Sequence, residues 1–130
     1  MGATDWGGAL STFDQNYGYD GKEMSTVFKY NTIGLSMEDA VEKLKISKPD
    51  FIKIDVDGIE HLILSGGEEI LSNIKGILIE VNDNFEAQRD IVSDLLTKSG
   101  LTLNDKIHSE MVESSNEFNS IFNQIWTRVE

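Results

Sequence analysis

The chain is 130 residues long, carries 11 basic against 23 acidic side chains for a formal net charge of −12, and contains no cysteine. That length holds one domain with a real core, the acidic balance with no basic patch repels nucleic-acid backbones and anionic lipid surfaces, and the missing thiols exclude a disulfide framework and a thiolate metal site. No apolar run nears the ~20 residues that span a bilayer, and residues 1–10 lack the basic start and apolar stretch of a secretory signal, so a soluble cytoplasmic protein is expected.

Residues 1–25 are rich in Gly, Asp, Ser, Thr and Tyr without a sustained apolar period, which predicts an irregular segment. Residues 26–33 follow as an expected strand, because Val27, Phe28, Tyr30, Thr32 and Ile33 crowd β-branched and aromatic side chains into a short run. Ser36 has the character of an N-cap with Asp39 three positions on. Met37, Ala40, Val41 and Leu44 recur at i, i+3, i+4 and i+7, so an amphipathic helix is expected to stop before Pro49. Residues 51–56, with Ile52, Ile54 and Val56, have the apolar density of a central strand buried on both faces of a parallel sheet.

A helical turn or two over 59–64, a break at Gly66-Gly67, a further turn over 68–72 and a second apolar strand over 77–81 make a βαβ unit. Residues 86–99 put Ile91, Val92, Leu95 and Leu96 on one helical face and stop at Gly100, the residue type favoured just past a helix C-terminus. Residues 101–107 and 121–129 read as an antiparallel edge hairpin, joined by a polar loop over 108–120 whose Glu110, Glu113 and Glu117 form a solvated face. Nothing divides the chain. The expectation is a single α/β domain over 1–130, irregular over 1–25 and with its core over 26–130, built on a mostly parallel sheet with a C-terminal antiparallel hairpin and flanking helices.

The densest polar stretch is Lys53-Ile54-Asp55-Val56-Asp57-Gly58-Ile59-Glu60, where an apolar strand runs out into acidic residues before a helix. In open parallel sheets, ligands bind beyond the carboxyl ends of the strands. Asp55 and Asp57 stand at i and i+2, on one side of a strand, and Glu80, Asn82 and Asp83 end the neighbouring strand in the same direction. The two acidic ends are therefore expected side by side. Oxygen groups converging there suit a hard divalent cation, a ribose hydroxyl pair or a general base that takes a proton from an alcohol. The competing reading has Asp55 and Asp57 capping the following helix and Glu60 pointing into water.

The same stretch resembles the signature of the FkbM-type S-adenosylmethionine-dependent methyltransferases. That signature is a buried strand ending in Lys-Ile-Asp-Val-Glu-Gly, a small residue and Glu, a leucine-rich turn with a Gly break, and a strand ending in Ile-Glu-Val. Its counterparts here are Lys53 through Glu60, then Leu62, Leu64, Gly66 and Leu71, then Leu78-Ile79-Glu80-Val81-Asn82, and the likeness covers roughly residues 26–105. The resemblance implies a partial Rossmann-like, class I methyltransferase sheet, S-adenosylmethionine as cofactor, and O-methylation of a sugar or small-metabolite hydroxyl. It also implies Asp55 as the residue nearest cofactor and acceptor, Asp57 and Glu60 as further catalytic residues, and Glu80, Asn82 and His61 on the substrate side. No metal ligand is assigned.

Three departures from the pattern stand out. Asp57 replaces the usual Glu, His61 holds a position usually apolar or acidic, and a Gly-rich cofactor loop of the type Asp-x-Gly-Ala-Asn-x-Gly is not found. Asp5-Trp6-Gly7-Gly8 fails as that loop because a buried strand must precede it, and Gly18-Tyr19-Asp20-Gly21 fails likewise. The resemblance then implies the C-terminal half of the domain, the fourth to seventh strands of a seven-stranded sheet, which by itself forms one wall of the cofactor crevice and is inactive if the other is missing. An alternative of a different class is a non-catalytic fragment that forms a homo-oligomer through an exposed sheet edge.

Four aromatic residues of the N-terminal segment, Trp6, Phe13, Tyr17 and Tyr19, either offer an acceptor-stacking surface or anchor the segment, and anchoring is the simpler role. His61 and His108 have no second histidine at helical spacing, so a His-pair metal site is not expected, and packing or solvation is the simpler role for both. Trp126 with Phe122 is expected to pack within the last strand.

Overall fold

The computed structural model describes residues 11–108 and 118–129. Trp6 with its Asp5-Trp6-Gly7-Gly8 stretch, and the acidic trio Glu110, Glu113 and Glu117, lie outside the described residues. Helix α1, Met37–Leu44, starts where expected because the Ser36 hydroxyl accepts the Asp39 amide at 3.0 Å, satisfying one of the orphan N–H groups of its first turn. Strand β1, Phe51–Ile54, leads through an acidic loop into α2, Glu60–Ser65, and α3, Glu68–Leu71, separated at Gly66-Gly67. Then come β2, Gly76–Asn82, helix α4, Glu86–Lys98, and strands β3, Leu101–Ile107, and β4, Ile121–Arg128. Gly100 ends α4 at φ +82°, the left-handed conformation its position called for. No helix among the described residues is long and apolar enough to cross a membrane.

Among the described residues, four strands form one mixed sheet in the order β1-β2-β4-β3. β1 and β2 are parallel, as the βαβ reading requires, and β4 runs antiparallel to both of its neighbours, β2 and β3. Three strands thus point one way, but only one of three pairings is parallel, because β4 inserts between β2 and β3 rather than closing the sheet at its edge. This α/β arrangement is compatible with a methyltransferase fold.

The pleat sorts side chains by face. Ile54, Ile77, Ile79, Val81 and Trp126 join Leu64 of α2, Leu71 of α3, and Val92 and Leu96 of α4 in a single core, each large aliphatic side chain contributing roughly 1.5–3 kcal/mol by leaving water. The opposite face carries Lys53, Leu78, Glu80, Asn123 and Ile125, none of them fully buried.

Three expectations need correction. Residues 26–33 form no strand. Val27, Phe28, Tyr30 and Ile33 are exposed, and no described segment offers them a ladder of backbone partners, without which β propensity decides nothing. Residues 51–56 are not a doubly buried central strand: β1 is four residues long, sits at the edge of the described sheet, and leaves Phe51 68% exposed. Ile91, expected on the buried face of α4, is 39% exposed, and the buried stripe instead runs Gln88, Val92, Leu96.

Candidate functional site

β1 ends at Ile54, so the acidic loop begins at Asp55, which does not continue the ladder. Asp57 has φ +59° and Gly58 φ +117°, two successive residues in conformations that L side chains avoid. Asp55 and Asp57 therefore do not share one side of a strand, which corrects the i, i+2 expectation: the chain has already turned at Asp57. Asp55 is exposed, with Lys53 Nζ 2.8 Å from its Oδ2. Neither aspartate occupies the N-cap position of α2, which is Ile59.

Glu60 accounts for the loop's shape. Its carboxylate is 1% exposed and accepts the Val56 amide at 3.1 Å, the Gly58 amide at 3.1 Å and the Gln88 side-chain amide. Burial pushes its carboxyl above the ordinary range, opposed by these donors. Glu60 thus does not point into water, as the competing reading had it; its carboxylate is turned onto the amides of its own loop and of Gln88. It holds the loop.

β2 delivers Glu80 and Asn82 beside this loop, as the parallel register with β1 requires. Glu80, on the open face, is pushed up to about 7 by burial and by Asp55, Glu60 and Asp57, with Lys53 opposing. That shift gives physical content to the expected convergence of the two acidic ends. Asn82 is buried and fully committed: its amide nitrogen donates to Tyr19 O at 3.1 Å, its side-chain oxygen accepts Asn84 N at 3.0 Å, and its backbone N–H donates to Gln88 Oε1 at 2.8 Å. His61 is 5% exposed, its ring edge-on to Phe85 at 5.5 Å, and burial holds its pKa below the ordinary value, so it is neutral at pH 7. His108 stacks on Phe122 at 4.2 Å, with Nδ1 3.1 Å from Ile121 O.

Of the six residues singled out in the sequence, Asp55, Asp57 and Glu80 are the ones with exposed or half-exposed side chains, whereas Glu60, Asn82 and His61 are buried. Among the described residues, no three His, Asp or Glu side chains are placed to hold a metal ion.

A cleft of about 900 Å³ opens beside the loop, with Val56, Asp57 and Ile59 along one wall and side chains from residues 11–32, among them Phe13, Asn16 and Lys29, along the others. Tyr17 and Tyr19 serve as anchors, packing edge-on against Phe85 at 5.6 Å and Phe118 at 5.4 Å. Phe13 does line the cleft. Of the six residues singled out in the sequence, Asp57 lines it, and Asp55, Glu60, Glu80, Asn82 and His61 do not.

Gln88 and most of the cleft wall built by residues 11–32 were not legible in the sequence. Gln88 had left a trace, since it stands at i−4 from Val92 and i−8 from Leu96, on the core stripe of α4. The wall built by residues 11–32 left one trace, Phe13, which was among the aromatics able to offer an acceptor-stacking surface; the rest left none, because irregular segments have no period to read.

Residues 5–120 match the family described as the methyltransferase FkbM domain. Neither a curated protein nor a solved structure matches the chain.

Proposed function

The chain belongs to the FkbM methyltransferase family, and from that premise we propose that it takes part in methyl transfer from S-adenosylmethionine to a hydroxyl of a sugar or small metabolite, on a Rossmann-like sheet. The observation that carries this reading is the placement of Asp55 and Asp57 past the C-terminal end of β1, with Asp57 in the wall of the cleft. S-adenosylmethionine supplies a methyl group on a positively charged sulfur. A sheet end whose exposed groups are carboxylates fits that charge, and fits ribose and acceptor hydroxyls as hydrogen-bond acceptors. Asp55 has its carboxylate in solvent beside Lys53, where it is open to a ligand that reaches past the end of β1. Glu80, poised near 7, has the proton affinity needed to receive a proton from an acceptor hydroxyl. Glu60 and Asn82 act at one remove, by holding the loop and the strand end.

A calorimetric titration with S-adenosylhomocysteine tests this. The unaltered chain is expected to bind in the micromolar range, and Asp55→Ala to bind at least tenfold more weakly with an unchanged melting temperature, because Asp55 is exposed. Equal affinity of the two proteins would remove Asp55 from the site.

A second reading, self-association through the β1 edge, is favoured by one observation: β1 ends the described sheet with Phe51 68% exposed. Light scattering on the same sample decides it. A mass twice 14.5 kDa that falls to 14.5 kDa in Phe51→Lys supports association, and 14.5 kDa in the unaltered chain rejects it.

A further inference from the structure

We propose that Gln88 is the positioning residue of the strand-end site, a buried amide that clamps the loop after β1 to the end of β2 by acting through Glu60. The proposal rests on the reading that the strand ends form the methyl-transfer site, and it assigns a role to a residue 28 positions downstream of the acidic motif.

Gln88 is 1% exposed, in the first turn of α4. A primary amide fully removed from water is costly unless both of its ends are bonded. Here both are: Nε2 donates to Glu60 Oε2, and Oε1 accepts the Asn82 N–H at 2.8 Å. The backbone N–H of Asn82 can only donate, so the oxygen of Gln88 must face β2 and its NH₂ must face Glu60. Glu60 in turn is surrounded by donors, namely Val56 N–H, Gly58 N–H and the Gln88 amide, and answers them as a carboxylate.

The chain of dependence is therefore directional. β2 orients Gln88, Gln88 orients Glu60, and Glu60 gathers the Val56 and Gly58 amides on either side of Asp57, whose φ of +59° needs outside support. Removing the amide loosens the hold of Glu60 on the Val56 and Gly58 amides, and with it the turn at Asp57 between them.

Two variants test the clamp. Gln88→Leu keeps the bulk and deletes both hydrogen bonds. Gln88→Glu keeps the shape and the acceptor for Asn82, and donates to Glu60 only while its carboxyl is protonated. The other titratable groups facing Glu60 are Glu80 from β2 and Tyr17 from the N-terminal segment, and both are the same in all three proteins.

Amide hydrogen exchange is read at Val56, Gly58 and Asn82 at pH 5 and pH 8, as protection relative to the unaltered chain at the same pH, with Ile79 as the core reference. In Gln88→Leu, protection at Val56 and Gly58 is expected to fall at least tenfold at both pH values, with Ile79 retained. In Gln88→Glu it is expected to match the unaltered chain at pH 5 and to fall at pH 8, where two carboxylates face each other. Retained protection in Gln88→Leu, or no pH dependence in Gln88→Glu, overturns the proposal. Should Gln88→Leu fail to fold, the pH contrast within Gln88→Glu decides alone. Titration of the same samples with S-adenosylhomocysteine separates the two ideas. If the unaltered chain does not bind while the exchange pattern holds, Gln88 remains the clamp of this loop and the methyl-transfer reading falls.

Discussion

Two constraints meet at Gly58, and each alone calls for glycine. Its φ of +117° lies where a Cβ is strained whatever the surroundings, and a Cβ built there would sit 2.6 Å from Gly18 O and 2.9 Å from Tyr19 Cα. The N-terminal segment thus rests its backbone directly on the acidic loop, and the Tyr19 carbonyl is held there by Asn82. Gly58→Ala is expected to cost about 2–4 kcal/mol in urea unfolding, the sum of backbone strain and a displaced Gly18-Tyr19 turn. A loss under about 0.5 kcal/mol would show that the segment is not seated on Gly58. The acidic residues were legible because a strand running into Asp-x-Asp-Gly-x-Glu is a pattern in one dimension. Which of them stays exposed was not, because side-chain direction in a loop follows from its φ angles, and here Asp57 and Gly58 turn the chain so that Glu60 folds inward.

The helices and the later strands followed their sequence signals because each signal was local. Ser36 caps α1, Gly100 stops α4, and the break at Gly66-Gly67 divides α2 from α3. The segment over 26–33 misled because a strand exists only with a neighbour, and propensity says nothing about whether one is supplied. The insertion of β4 between β2 and β3 was equally out of reach, since pairing order is a non-local choice. Arg128 braces the inserted strand. At the end of β4, its Nε donates to Ile74 O at 3.0 Å, and its Nη2 to Leu71 O at 3.1 Å and to Ser99 O at 2.9 Å. One guanidinium thus ties β4 to the end of α3 and the C-cap of α4, where unpaired carbonyls and the negative ends of the helix dipoles gather. Arg128→Ala should cost about 2–4 kcal/mol by urea unfolding, and Arg128→Lys should recover less than half of it, because an ammonium cannot reproduce the planar fork. Full recovery by lysine would mean that charge alone holds the three ends together.

For the whole molecule, a net charge of −12 means that the acidic strand ends sit in a field that already disfavours further ionisation. Glu80 is the group that reports it, raised to about 7 by burial, Asp55, Glu60 and Asp57. Because its folded pKa lies above its unfolded value, the folded protein holds a proton that the unfolded chain has released. Its contribution to stability is therefore fully present below the ordinary glutamate range and is lost as pH rises through about 7. Glu60, raised mainly by its burial, acts in the same direction. His61 opposes them: its pKa is lowered by burial, so the unfolded chain takes up the proton first, and stability falls as pH drops below the ordinary histidine range. With two carboxyls against one imidazole, the protein is expected to melt at a higher temperature at pH 5.5 than at pH 8. Glu80→Gln isolates the larger contribution. It should leave the melting temperature at pH 5 nearly unchanged and raise it at pH 8 by about 4 °C, equivalent to about 1 kcal/mol once the half-burial of the side chain is discounted for solvent screening. If the variant instead loses stability at pH 8, the ionised Glu80 is held by a favourable partner such as Lys53, and the open face of the sheet does not place it among its acidic neighbours in the way that raises its pKa.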